Sequence, residues 1–248
     1  MRSFLQLAYD GSEYFGWQRQ PAQISVQQVL EESLSKILRE NISVVGAGRT
    51  DTGVHAKKMY AHFDSGEIKD KEQFLYSLNA VLPYSVAVND VIQVKDDAHA
   101  RFDALERTYQ YYISLKKDPF LYQKAHFLFR FPDIDKMNEA AKLLFEFQDF
   151  ECFSRSNTDV KTYLCDIKEA FWKKDEDRLI FTITADRFLR NMVRAIVGTL
   201  LEIGFGKKDA EDLKEIIESK NRSKAGASAP AAGLYLVDVK YPSELFSY

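Results

Sequence analysis

The chain is poor in the residues that hold small secreted domains and metal sites together. It has two cysteines, Cys152 and Cys165, and four histidines among 248 residues. Neither Cys-x-x-Cys nor His-x-x-x-His occurs, so no two ligands stand at metal-site spacing and no metal is expected. Two distant cysteines make no disulfide framework and fit free thiols in a reducing cytoplasm. No run approaches the roughly 18 apolar residues that a membrane helix needs. The start, Met1 to Leu7, is short and polar and soon meets Asp10, so it is not expected to act as a signal peptide. There is no basic excess either: 34 Lys and Arg stand against 37 Asp and Glu, a net charge of −3. That argues weakly against a nucleic-acid partner, although the clustering of the basic residues matters more than their sum. Acids gather in helical stretches such as Glu31-Glu32 and Glu211-Asp212, whereas arginines punctuate glycine-rich and aromatic segments.

What is present is a globular composition, 46% hydrophobic with 18 Phe and 13 Tyr, long enough for one large domain or two ordinary ones. Residues 2–9 alternate as a strand, and an aromatic, polar loop follows over 10–21. Ser25 with Gln28 makes a capping box, after which Val26, Val29, Leu30, Leu34, Ile37 and Leu38 keep helical spacing to Arg39. Strands are expected at 42–47, 57–64 and 86–94, with a helix over 70–81 stopping before Pro83. This is the β-α-β-β-α-β, or split βαβ, order. The second half loosely repeats it. Strands are expected at 106–115, 163–173, 179–186 and 234–241. Helices are expected from Asp135 through Phe147, over 189–203 with Gly204 as the residue past its end, and over 209–218. The fold class is α+β. The two halves, 1–103 and 104–248, have no Pro/Gly-rich linker between them and are expected to share one sheet.

The most informative run is Gly48-Arg49-Thr50-Asp51-Thr52-Gly53-Val54-His55-Ala56. Flanking glycines allow positive φ and close approach by a large ligand, so Asp51 is poised to meet a substrate. A tight polar turn with an Arg49–Asp51 pair is the plainer alternative. Arg187, Arg190 and Arg194 fall at i, i+3 and i+7, one stripe of a helix whose other faces are apolar. Arg194, a turn into that apolar helix, needs a carboxylate partner, because an unpaired buried guanidinium costs several kcal/mol. Arg187 and Arg190 also fit a solvated helix end. Tyr109 shares a strand face with Tyr111, which suits a sheet residue as well as a catalytic one. The small-residue stretch 223–233 is expected as an ordered loop.

Six segments in order resemble the tRNA pseudouridine synthase A family. They are Ala8-Tyr9-Asp10-Gly11 with Phe15 to Gln20; the Asp51 run; His99-Ala100-Arg101-Phe102-Asp103-Ala104; Arg107-x-Tyr109-x-Tyr111; Phe188 to Gly198; and Ala229-Pro230-Ala231-x-Gly233-Leu234-Tyr235-Leu236. Two positions depart from the family pattern: Thr52 where Ala is usual, and Asp103 where Ser is usual.

The resemblance implies the pseudouridine synthase fold, two ferredoxin-like halves around a central mixed sheet. It implies conversion of uridine to pseudouridine at positions 38, 39 and 40 of the tRNA anticodon stem-loop, by a homodimer with no metal or organic cofactor. Asp51 would be the catalytic aspartate, Arg194 its ion-pair partner, and Tyr109 the tyrosine against the target base. Arg49 would assist the flipped nucleotide. Arg19, Lys57, Lys58, Arg101, Arg155, Arg190 and Lys224 are candidate phosphate contacts, and Leu234 would lie near the base. The chemistry fits one ionised carboxylate, held ionised by a fixed cation, acting on a base taken out of its stack. Rival readings are a non-catalytic RNA-binding protein, a glycosidase needing a second acid, for which Asp103 is the nearby candidate, and the same chemistry on another RNA.

Overall fold

The computed structural model describes residues 1–155 and 161–246. Its elements run β1 (Arg2–Tyr9), α1 (Val26–Leu38), β2 (Val45–Gly46), β3 (His55–Asp64), α2 (Lys71–Val81) and β4 (Val86–Val94). They continue with β5 (Glu106–Ser114), β6 (His126–Phe127), α3 (Ile134–Leu143), β7 (Ile167–Asp175), β8 (Arg178–Ala185), α4 (Met192–Gly204), α5 (Ala210–Glu218) and β9 (Leu234–Lys240). The chain is α+β, as expected. Two compact units form, one from Met1–Glu106 with the stretch from Tyr235 onward, the other from Arg107–Leu234. This differs from a cut at residue 103, because the final strand returns to the first unit.

In the first unit β1 lies antiparallel between β3 and β4. With β1 on one edge of β3, two strands share the other edge. β2 pairs with its far end at His62 and Ala61, and β9 runs parallel to its start, with Tyr235 opposite His55 and Leu236 opposite Ala56. The strand expected over 42–47 is only two residues long, Val45–Gly46. Alternation on β1 sends Leu5 and Leu7 to one face of the sheet and Phe4 to the other, against His62 and Tyr241, and all three are fully buried. Ser25 caps α1 by accepting from Gln28 N–H (3.2 Å). The capping box is half made, for the Gln28 side chain donates to Glu32 instead.

In the second unit β8 lies antiparallel between β5 and β7, and β6 adds parallel to β5. The mixed pairing holds in each unit. α3 starts at the cap Asp133, whose side chain accepts from Lys136 N–H, two residues before the expected start. α4 is buried almost all round, from Met192 to Gly204, because its Val, Ile and Leu residues cover every face. It begins later than the expected 189. Asn191, with φ 68°, breaks the helix register, so Arg187 and Arg190 lie in the connection before α4 and only Arg194 is helical. The arginine stripe is not a stripe. At the other end Gly204 is the last helical residue, where a Cβ would sit 2.8 Å from Met137 and Pro132. The left-handed residue is Gly206, φ 71°, which corrects the expectation for Gly204. Among the described residues no helix is long and apolar enough to cross a membrane.

Candidate active site

Asp51 sits half-buried on the loop between β2 and β3, and the loop is held by the segment that follows β1. Tyr9 and Thr50 share a hydrogen bond (2.9 Å) in the interior. Trp17 N–H donates to the Thr50 carbonyl (3.1 Å) and Gly53 N–H to the Tyr14 carbonyl (3.3 Å). Val54 N–H closes the turn on the Asp51 carbonyl (3.1 Å). The backbone is thus fixed at Thr50, just before Asp51, and at Gly53, two residues after it, while the Asp51 side chain is half-buried. Two glycines outside the motif make this approach possible. A Cβ on Gly16, whose φ is 85°, would lie 2.4 Å from the Thr50 carbonyl oxygen, and one on Gly11 would lie 2.0 Å from that of Val54. Within the motif Gly53 takes φ 77°, but Gly48 does not take positive φ, and a Cβ there would meet nothing within 4 Å. The sequence expectation for paired glycines holds on one side only.

His55 anchors the loop's far end. Its Nδ1 accepts from Gly11 N–H (3.1 Å) and lies 3.1 Å from Asp10 Oδ1. Its ring stacks on Tyr235 at 4.4 Å. Lys57 Nζ lies over the same Tyr235 ring (5.5 Å), and Arg49 is exposed. Asp103 Oδ2 accepts from His99 N–H (2.7 Å), closing the 99–103 turn. Thr52 is exposed.

In the second unit Arg194 is half-buried. Its Nε donates to the Ala229 carbonyl (2.7 Å), and Ala229 N–H donates back to the Arg194 carbonyl (2.9 Å). Tyr109 is half-buried on β5, edge-on to Phe188 with ring centroids 5.2 Å apart. Tyr111 is fully buried and donates to the Pro230 carbonyl (2.8 Å). Burial pushes its phenol well above the ordinary range, with the Arg194 charge opposing. Burial also pushes the Cys152 and Cys165 thiols up to about 12, so neither is a nucleophile near neutral pH. Among the described residues no group of three His, Cys, Asp or Glu is placed to hold a metal ion.

The candidate RNA contacts scatter. Arg19 pairs with Glu31 (3.1 Å) and Lys58 with Asp238 (2.8 Å), so both are tied to carboxylates. Arg101 lies over the Phe102 ring (5.7 Å). Arg190 is exposed, and its carbonyl accepts from Arg155 N–H (3.0 Å). Lys224 closes a turn through its N–H on the Asn221 carbonyl (3.2 Å), and Leu234 is buried at the start of β9. Sequence reasoning missed Tyr14, Trp17, His55 and Arg222 as supports of the site. The glycines that admit them, Gly11, Gly16 and Gly198, were the available signal.

A family model described as tRNA pseudouridine synthase matches residues 7–103 and 140–242. The chain belongs to the tRNA pseudouridine synthase family. Proteins named tRNA pseudouridine synthase A are similar along nearly its whole length. The one from Bacteroides fragilis is 54% identical, over 99% of this chain and 98% of its own. That from Porphyromonas gingivalis is 51% identical over 99% of each, and that from Caldicellulosiruptor bescii 38% identical over 96% and 98%. The family match takes in the Asp51 loop, the Arg194 helix and the strand that returns at Tyr235. Residues 104–139, with Tyr109, lie between the two matched stretches.

Proposed function

We propose that the protein isomerises uridine to pseudouridine in tRNA, at positions 38, 39 and 40 of the anticodon stem-loop. The observation that carries the reading is the Asp51 loop: a half-buried carboxylate on a turn whose backbone is held at Thr50 and Gly53 by the segment after β1. The reaction breaks the N1–C1′ bond, turns the uracil, and forms a C5–C1′ bond, with one proton leaving C5 and one arriving at N1. Nothing is oxidised, and no group enters or leaves. One ionised carboxylate suffices, as nucleophile at C1′ or as base at C2′. In this reading Arg194 is the fixed cation that keeps Asp51 ionised, Tyr109 lies against the detached base, and Arg49 assists the flipped nucleotide. The first half of the chain supplies the acid, and the second supplies the tyrosine and the arginine.

Incubation with an unmodified tRNA transcript, followed by mapping of pseudouridine, tests the reading. Product at 38–40 from the native protein, none from Asp51→Ala, and retained tRNA binding by that variant are expected. Equal isomerisation by the variant would sink the assignment. Release of free uracil would favour a glycosidase, and binding without product a non-catalytic RNA-binding protein.

The same proposal takes the working form as a homodimer. Support comes from the segment around β6, where Phe120 and Phe129 are 91% and 94% exposed beside exposed Tyr122 and Phe131. Single exposed apolar residues are ordinary, but aromatic side chains gathered in one segment mark contact surfaces. Light scattering should give twice the 28.6 kDa chain mass. Phe120→Asp with Phe129→Asp should halve it without lowering the melting temperature, and an unchanged mass would rule this surface out.

A further inference from the structure

Arg222 directs its guanidinium into the strap that carries the Arg194 contact. Its Nη1 donates to the Gly226 carbonyl (3.1 Å) and, at 3.4 Å, to that of Ala225. Its Nη2 donates to Ser228 Oγ (2.9 Å). All three acceptors are uncharged. The half-buried guanidinium is therefore spent on backbone and hydroxyl oxygens of three residues within 225–228, where its planar fork can hold a loop in one shape. Ser228 Oγ also accepts from Asn191 Nδ2 (2.6 Å), from the left-handed residue just before α4.

The strap is drawn onto α4 at two more points. Gly226 N–H donates to Thr199 Oγ1 (2.9 Å), which donates to the Ala195 carbonyl (2.9 Å). A Cβ on Gly198 would fall 1.8 Å from the Ala227 carbonyl oxygen, and one on Gly226 would fall 2.9 Å from Thr199 N. Only glycines at both positions let the two backbones touch. One residue beyond this clamp the Ala229 carbonyl receives Arg194 Nε, and one further the Pro230 carbonyl receives the Tyr111 hydroxyl.

We propose that Arg222 is a positioning residue for the isomerisation: by fixing residues 225–228 on α4 it sets where the Ala229 carbonyl stands, and so where the Arg194 guanidinium points. The proposal rests on the functional reading above. Displacing a group in the site by about 1 Å can cost on the order of 100-fold in rate without touching substrate binding.

The test is steady-state kinetics on an unmodified tRNA transcript for Arg222→Ala, Arg222→Lys and Ser228→Ala, each also in an Arg194→Lys background. In the native background Arg222→Ala should lower kcat about 10- to 100-fold, with KM changed less than about threefold. Arg222→Lys should recover little, since a single ammonium nitrogen cannot reproduce the spread, planar fork of two guanidinium nitrogens. Ser228→Ala, which removes one acceptor, should fall between. In the Arg194→Lys background Arg222→Ala should cost less than about twofold, because the residue acts through Arg194. The same loss in both backgrounds overturns the proposal. A raised KM with unchanged kcat overturns it by making Arg222 an RNA contact. Loss of cooperative melting in Arg222→Ala and Ser228→Ala alike overturns it by making the clamp a folding element. A native protein that makes no pseudouridine overturns the functional reading itself, a distinct result from native activity that Arg222→Ala leaves intact.

Discussion

The two units hold their candidate site residues in different ways. In the first, Asp51 rides on a loop whose backbone is held by hydrogen bonds from Trp17 and to Tyr14, with Tyr9 under Thr50. In the second, Arg194 projects from a rigid helix, and a strap of small residues is clamped over it by side chains, Arg222, Asn191 and Thr199. A loop needs outside backbone contacts to become a fixed support, whereas a helix already is one and needs only its side chain oriented. Glycine serves both, by removing the Cβ where backbones meet: Gly11 and Gly16 against the Asp51 loop, Gly198 of α4 and Gly226 of the strap against each other's segments.

Substituting these glycines is the sharpest way to break the comparison. Gly16→Ala meets both a left-handed φ and the Thr50 carbonyl, so it should cost about 2–4 kcal/mol and remove activity with it. Thermal melting and product mapping measure both. Gly198→Ala should instead lift the strap off α4. Its loss of kcat should exceed its loss of stability, because the strap is a surface segment while α4 is core. If Gly198→Ala unfolds the protein as readily as Gly16→Ala does, the two supports are not different in kind.

A smaller effect, on pH, belongs chiefly to the first unit. His62 is buried against Phe4 and the His99 ring, accepts from Ala100 N–H on Nδ1 (3.0 Å), and has Arg2 nearby. Burial foremost, then the Arg2 charge, lowers its pKa to about 4 from an ordinary 6.5. The unfolded chain therefore binds the extra proton first as pH falls. The stability from neutral His62 is complete above pH 6.5 and is lost progressively down to about 4, on the order of 2 kcal/mol. His62→Asn, which keeps an acceptor, should flatten the fall in melting temperature across that window. Burial lowers His99 and His126 in the same sense, so a shallower slope should remain. An unchanged slope would refute the assignment. The least effect is expected at Gly48, where a Cβ meets nothing. Gly48→Ala should shift stability by less than about 0.5 kcal/mol.

Much of this was legible in the chain. The 2.0 and 3.6 periodicities marked α1, α2, β4 and β5 to within a residue or two, because those elements bury one face against a core and must alternate accordingly. The return of β9 to the edge of β3 was not legible, since Tyr235 pairs with His55 from the far end of the chain. Nor was the break at Asn191: the spacing of Arg187, Arg190 and Arg194 looks helical until a left-handed residue interrupts it.

The sequence by itself determined the family and the class of chemistry, and it singled out Asp51 as the candidate acid. Those depend on residue types at fixed short spacings, and the Asp51 run carries them within nine positions. Tertiary structure alone decided which glycines matter, that Asp103 closes a turn, and that Arg222 supports Arg194. Each of these depends on which backbone passes within about 3 Å of another, and that distance is set by the packing of elements far apart in the chain.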